Sequence, residues 1–131
     1  MIAAQIAAAA RRHGIRLVVQ FGSSVTGRTH AQSDLDVGVL LERFPPTLEA
    51  YGDLEADMQG LFPGSTLDLA IINRADPLFL KHITGRCRLL FGAEQDFHLL
   101  KIYAFKRFQD HRRYLAMERG YVAQAIRALG A

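Results

Sequence analysis

Three aspartates and one Gly-Ser pair are the residues of this chain best suited to chemistry. Gly22-Ser23 follows the apolar run Leu17-Val18-Val19-Gln20-Phe21. After ten intervening residues come Asp34 and, two further on, Asp36, at the head of a second apolar run. Strand residues alternate between faces, so Asp34 and Asp36 project together while Leu35, Val37, Val39 and Leu41 project the other way. Asp68, within Leu67-Asp68-Leu69-Ala70-Ile71, repeats the pattern. If these two strands are neighbours, three carboxylates meet. Two bare unit charges 4 Å apart repel by about 4 kcal/mol at an effective dielectric of 20. Such a cluster keeps a proton on one member or holds a cation. Hard oxygen donors with no Cys or His among them favour Mg²⁺ or Mn²⁺. Mg²⁺ completes its shell with water and substrate phosphate, and the layout suits two-metal phosphoryl transfer. The competing reading makes Asp34 a turn residue and Asp36 and Asp68 solvated edge residues. The Gly-Ser turn and the matching Asp68 weigh against it.

The turn itself invites comparison with a P-loop. Gly22-Ser23-Ser24-Val25-Thr26-Gly27-Arg28-Thr29 departs from that motif by an Arg where Lys is required. A P-loop must open a full helix that crosses to a parallel strand, which takes a dozen or more residues. Only His30-Ala31-Gln32-Ser33 remain before the next strand. The span therefore demands a compact turn, with the second strand lying beside the first. Gly22 lets phosphate approach the backbone, and Ser23 offers a hydroxyl and an N–H near a helical N-terminus. Ser24 and Arg28 lie in the same turn and join the candidate nucleotide contacts. His30 there, Arg74 after the Asp68 strand, and Lys81 are weaker candidates.

The elements that must position these residues are legible in outline. Residues 2–13 read as an amphipathic helix ended by Gly14. Residues 15–21 read as a strand with Ile15, Leu17, Val19 and Phe21 on one face. Residues 22–33 form the turn, and 34–42 the second strand. After Pro45-Pro46, Thr47 caps a helix running to about Leu61. Residues 66–72 form the third strand. Asp76-Pro77 starts a helix, with Asp at the cap and Pro at the first position, and it stops at Gly85. Residues 87–91 form a fourth strand. A long helix starts at Glu94, with Phe97, Leu100, Ala104, Phe108, His111, Leu115, Val122, Ile126 and Leu129 tracing one seam. Gly120 is expected to break it. Core packing is the expected use of the seam, with its late part open to a partner.

With 131 residues, half of them apolar, the chain reads as one domain with a real core. No apolar run spans a membrane, and the N-terminus lacks the basic start of a secretion signal. The single Cys87 forms no internal disulfide, which suits a cytoplasmic protein. It reads as a buried strand residue. Residues 1–100 carry nine Lys/Arg against eleven Asp/Glu, and residues 101–131 carry seven against two. The basic balance thus belongs to the C-terminal helix. A solvated face is its plain reading, and an acidic partner or nucleic acid the sharper one. Lys106-Arg107 and Arg112-Arg113 do interleave with Tyr103, Phe105, Phe108 and Tyr114. At helical spacing, though, aromatics more often serve the core, so direct nucleic-acid binding is not expected. The five His residues lack metal-ligand spacing.

Gly22-Ser23, ten residues, then Asp34-Leu35-Asp36 resembles the signature of the minimal nucleotidyltransferase (MNT) group of the DNA polymerase beta-like superfamily. Leu67-Asp68-Leu69-Ala70 resembles the strand that carries the third carboxylate of that group. Pro77 to Gly92 resembles the helix and strand that close the domain. The resemblance implies an α+β nucleotidyltransferase fold: a small mixed β-sheet with helices packed on one face and a long C-terminal helix. It divides the chain into a minimal nucleotidyltransferase domain, 1–95, and a helical extension, 96–131. Within the superfamily the chain looks most like the adenylyltransferase antitoxins paired with HEPN-domain ribonuclease toxins. That implies Mg²⁺-dependent transfer of AMP from ATP to a hydroxyl, a tyrosine by analogy, of a HEPN partner. Gly22 and Ser23 would hold the triphosphate. Asp34 and Asp36 would ligate two Mg²⁺ ions. Asp68 would ligate one of them and help deprotonate the acceptor.

Two other functions fit less well. An antitoxin that neutralises its partner by binding alone gains nothing from three mutually repelling acids. An aminoglycoside-type nucleotidyltransferase usually carries a second substrate domain, and here a homodimer would have to complete the pocket.

Overall fold

The computed structural model describes residues 2–26 and 34–130. Helix α1 spans Ile2–His13, and Gly14 stops it in a left-handed conformation, with φ 64°. Strand β1, Ile15–Phe21, runs into a 3-10 turn over Gly22–Thr26. Strand β2 covers Asp34–Leu41, helix α2 Leu48–Gly60 and strand β3 Thr66–Ile71. A short 3-10 turn, Ile72–Arg74, leads to helix α3, Pro77–Gly85, then strand β4, Cys87–Phe91, and helix α4, Glu94–Gly130. Two helix starts use the expected caps. The Thr47 hydroxyl accepts from Ala50 N–H at 3.0 Å, and the Asp76 carboxylate from Phe79 N–H at 2.8 Å.

The sheet order is β3-β2-β1-β4. β1 pairs antiparallel with β2 and with β4, and β2 pairs parallel with β3. The parallel pair is possible because α2 supplies the crossover. β1 is interior, and six of its seven residues are buried. Its Ile15 departs from the face expected of it. The register with β2 shifts between Ile15 and Leu17. Ile15 consequently joins the cluster under α1 and α2, while Leu17, Val19 and Phe21 pack on the other side.

The mixed sheet and the long C-terminal helix match expectation. α1 and α2 cover one face, packing Ile6, Ala10, Leu54 and Met58 onto Val18, Val37, Val39 and Ile71. The structure adds a second layer. α3 and the first turns of α4 place Leu80, Ile83, Phe97, Leu100 and Ala104 on Leu17, Val19 and Phe21 of the opposite face. Gly38 of β2 lies beneath this layer, with Ile72 against it. Burying each large aliphatic side chain contributes roughly 1.5–3 kcal/mol, so these two clusters dominate the stability.

Two side-chain bridges set the ends of the strands. Gln59 of α2 donates to the Ser65 carbonyl at 2.8 Å and accepts from Leu67 N–H at 2.9 Å, which holds the start of β3. Asn73 accepts from Leu41 N–H at 2.8 Å and donates to the Leu41 carbonyl at 3.0 Å, which ties down the end of β2.

α4 runs unbroken through Gly120. One glycine costs a helix about 1 kcal/mol relative to alanine, and the strong helix formers around it absorb that. The helix is about 55 Å long at 1.5 Å per residue. Only its first turns reach the core, through Phe97, Leu100 and Ala104. Core packing therefore accounts for the early seam alone, because Val122, Ile126 and Leu129 are exposed. Among the described residues no helix is long and apolar enough to cross a membrane. Cys87 is half-buried, donates to the Thr84 carbonyl at 3.4 Å, and has its thiol pKa pushed up by burial.

Two stability predictions follow from these contacts. Asp76→Ala removes the α3 cap and is expected to cost about 1 kcal/mol in urea unfolding. The second concerns Asp57 of α2, which meets His13 Nε2 at 2.6 Å and Arg12 Nη1 at 3.2 Å. The His13 hydrogen bond, helped by the Arg12 charge, holds the Asp57 carboxyl below its ordinary range. A depressed carboxylate stabilises the native state above the unfolded-state pKa and loses that contribution as pH falls. Asp57→Asn should therefore flatten the decline in melting temperature below about pH 4.

Candidate active site

The expected site residues gather at one end of the sheet. β1 ends there at Phe21 and β2 begins there at Asp34, because the two strands are antiparallel. β3 runs parallel to β2, so its early residues reach the same end. The register pairs Asp36 with Asp68 directly, and Asp34 with Thr66. Paired residues in a sheet share a face, so Asp36 and Asp68 project to the same side, with Asp34 beside them. Phe21 is the β1 partner of Asp36. The acids thus end the face that Gly38 and Leu40 line further along, beneath α3. Asp34 and Asp68 are exposed and Asp36 is half-buried.

The Asp36 carboxyl is raised above the usual carboxylate range. Burial is the largest cause, and the negative charge of Asp68 comes next. Asp34 and a hydrogen bond to Asp68 add to the effect, while His82 opposes it. Asp36 thus lies near enough to Asp68 and Asp34 to feel the charge of each. Among the described residues no three His, Cys, Asp or Glu side chains already form a cation cage. The donor chemistry still fits Mg²⁺: hard carboxylate oxygens, mutually repelling, open to water and to a phosphate ligand.

Gly22 is where the backbone must be glycine. Its φ is 78°, and a Cβ there would lie 2.6 Å from Oδ2 of Asp36. Its N–H donates to the Arg86 carbonyl at 3.2 Å, which pins the turn to the start of β4. Ser23 is exposed and, with Gly22, lines a cavity of about 520 Å³. Ser24 belongs to the same 3-10 turn. Arg28 and His30 lie outside the described residues.

α3 supplies what the sequence reading underweighted. Lys81, His82 and Arg86 line the cavity beside Ser23. Lys81 Nζ sits 3.8 Å from the ring centre of Phe108 on α4. Phe79 and His82 stack at 6.3 Å, and Phe21 meets both edge-on, at 6.0 and 5.7 Å. On the far side of Phe79, a second cavity of about 370 Å³ borders Asp68, with Tyr51, Arg74 and Asp76 in its wall. Arg74 also lies over the Phe44 ring at 5.6 Å. The one signal for these residues is their place on a short helix that follows the third acid. Spacing alone does not say which side of that helix faces the acids.

A family model described as polymerase beta, nucleotidyltransferase matches residues 4–96. No curated protein sequence matches the chain. Solved structures share its fold over nearly its whole length. One is a toxin–antitoxin complex with AMP-PNP, at 22% identity and TM-score 0.72, covering 96% of this chain and 98% of that one. Another is a tri-AMPylated Shewanella oneidensis HEPN toxin in complex with an MNT antitoxin, at 20% identity and TM-score 0.66, with 95% of each chain covered. A third is the toxin–antitoxin MntA-HepT, at 20% identity and TM-score 0.65, covering 95% of this chain and 96% of that one.

Gly22→Ala tests the turn. The methyl group meets Asp36 and forces a left-handed alanine, which costs about 1–2 kcal/mol. The melting temperature is expected to fall, as thermal unfolding of the variant beside the parent chain should record.

Proposed function

This chain belongs to the polymerase beta nucleotidyltransferase family, and from that premise we propose that it is a Mg²⁺-dependent adenylyltransferase acting as the antitoxin to a HEPN-domain toxin. Its reaction moves AMP from ATP onto a hydroxyl of that toxin, a tyrosine by analogy with the family. The observation that carries the reading is the Asp36–Asp68 register beside the Gly22 turn. A solvated, purely structural strand end has no need of three adjacent acids under a glycine that leaves them room. The toxin–antitoxin structures of the same fold support the choice of substrate and partner, one with AMP-PNP and one with an AMPylated HEPN toxin.

In this mechanism the absence of a Cβ at Gly22 lets the triphosphate lie along the turn. Ser23, with Ser24 and Arg28 of the same loop, donates to its oxygens. Asp34, Asp36 and Asp68 would hold the Mg²⁺ ions. Bound Mg²⁺ neutralises the triphosphate and lowers the pKa of the attacking hydroxyl. Asp68 orients that hydroxyl and receives its proton. The protein's contribution is mostly positioning and charge, as in other phosphoryl transfers.

Residues 1–95 form the catalytic unit in this reading, and residues 96–131 extend it toward the partner. The outer part of α4 leaves Tyr114, Met117, Tyr121, Ile126 and Leu129 exposed. Most of the basic residues of the C-terminal region, Lys101, Lys106, Arg107, Arg112 and Arg113, precede it on the same helix, so α4 suits a partner that is acidic toward its middle and apolar toward its outer end.

Labelled ATP, Mg²⁺ and a HEPN protein encoded beside this chain should together give label on that HEPN protein. Asp36→Asn is expected to lower transfer by on the order of 10²-fold or more without lowering the melting temperature. Absence of labelling with all four nucleoside triphosphates, or a folded and active Asp36→Asn variant, overturns the reading.

A further inference from the structure

A cavity of about 480 Å³ lies at the end of the sheet remote from the acids, on the face that α3 and α4 cover. Arg16 reaches it from the start of β1, Leu40 from the end of β2, and Ile72 and Asn73 from the turn after β3. Its inner residues are apolar: Leu40, Ile72, Leu80 and Leu100. Phe44, Leu99 and Tyr103 also line it, and all three are exposed. Its amide and its acid are already matched. Asn73 uses both ends of its amide on Leu41. Arg16 donates through Nε and Nη2 to the two oxygens of Asp96, at 3.0 and 3.2 Å. An incoming group therefore meets mainly apolar surface inside the cavity.

Charge is supplied at the rim. The Arg74 guanidinium lies over the Phe44 ring at 5.6 Å, and that of Arg107 over the Tyr103 ring at 5.9 Å. Ion pairs among the described residues belong to Arg12, His13 and Arg16, so neither rim cation is neutralised in one. A guanidinium stacked on a ring keeps its N–H edge open to a carboxylate. Leu99 and Tyr103 also begin a longer strip. With Tyr114, Met117 and Tyr121 they fall at intervals of 4, 11, 3 and 4 residues, which keeps all five on one side of α4. All five are exposed, and Lys106 and Asp110 fill the gap between Tyr103 and Tyr114. The strip is about 33 Å long at 1.5 Å per residue. α4 borders the remote cavity at Asp96 and meets Lys81, beside the Ser23 cavity, at Phe108. The strip thus leads from the remote end of the sheet toward the end that holds the acids.

We infer that this cavity is a docking groove for an acidic segment of a partner protein, which seats one large apolar side chain between Phe44, Leu99 and Tyr103 and sets carboxylates against Arg74 and Arg107. The inference rests on the partner reading above and adds the point at which the partner is anchored, remote from the reacting groups. Three features select that occupant. The exposed strip that continues the groove is longer than any small ligand, so the surface fits a macromolecule. A second copy of this chain, docking the same groove on itself, would bring arginine rims together. A nucleic acid would match the arginines and leave the aliphatic side chains of Leu99, Leu100 and Met117 uncovered. An apolar anchor ringed by carboxylates satisfies both the interior and the rim. Aromatic and arginine side chains around one pocket are also the usual composition of an energetically dominant contact. Because the groove lies at the far end of the sheet, it acts on the affinity for the partner and leaves the nucleotide alone.

Calorimetry of the full chain with a HEPN protein encoded beside it measures docking without requiring transfer. Leu99→Glu and Arg107→Glu should each raise that Kd about tenfold or more, with the Kd for AMP-PNP and Mg²⁺ within about twofold of wild type. Both side chains are exposed, so both variants should unfold at the wild-type temperature. Arg11→Glu makes the same charge change on the exposed side of α1 and should leave both constants within about twofold. An Arg107→Glu variant no weaker than Arg11→Glu overturns the groove, as does a Leu99→Glu variant of wild-type affinity. Sedimentation of the chain alone should show no dimer through this face; a dimer that Leu99→Glu dissociates gives the groove to a second copy and overturns the acidic partner. Docking that follows these expectations while no label is transferred overturns the enzyme reading and upholds the groove. A wild-type chain that does not bind the HEPN protein overturns the partner reading and the groove together.

Discussion

Like charges held together against their repulsion are the constraint on which the rest of this structure depends. Asp36 and Asp68 are direct partners in a parallel register, and Asp34 lies two residues away on the same face. Isolated carboxylates would move apart in water. Here the backbone hydrogen bonds of β2 and β3 hold their Cα atoms at the spacing of paired strands. The raised Asp36 carboxyl, driven first by burial and then by Asp68, records the cost of that arrangement. Cores supply the energy to sustain it: two apolar clusters clamp the sheet from both faces, and Gln59 holds the start of β3.

The glycine turn belongs to the same constraint. Any side chain at Gly22 would occupy the space of the Asp36 carboxylate. The turn therefore passes directly over Asp36, and its Gly22 N–H is tied to the Arg86 carbonyl. Because β1 and β2 are antiparallel, the end of one and the start of the other coincide. Electrostatics and topology thus act at one place, and α3 closes it with the stacked rings of Phe79 and His82, which both meet Phe21 edge-on.

α4 has two lives along one axis. Its first turns bury Phe97, Leu100 and Ala104 against β1, as the seam demands. Beyond them the helix continues past the edge of the core, and the same seam faces solvent at Val122, Ile126 and Leu129. Lys81 over Phe108 joins the middle of α4 to the cavity beside Ser23.

Sequence alone determined what depends on local chemistry. Alternation within 34–41 and 66–71 assigns each acid to a face, since the strand period is two whatever the fold. Thr47 and Asp76-Pro77 set helix starts through bonds that close within four residues. The ten-residue gap after Ser23 excluded a helical crossover on length alone. Tertiary structure decided whatever depends on residues distant in the chain. The bulge that moves Ile15 to the other cluster arises from pairing with β2. Continuity through Gly120 reflects a helix too strong for one glycine to break, and exposure beyond it reflects where the core happens to end. Above all, strand order set Ser23 and Arg86 on one flank of the acids and Asp68 on the other. Long-range pairing alone determines which segments become neighbours, and local periodicity carries no information about that choice.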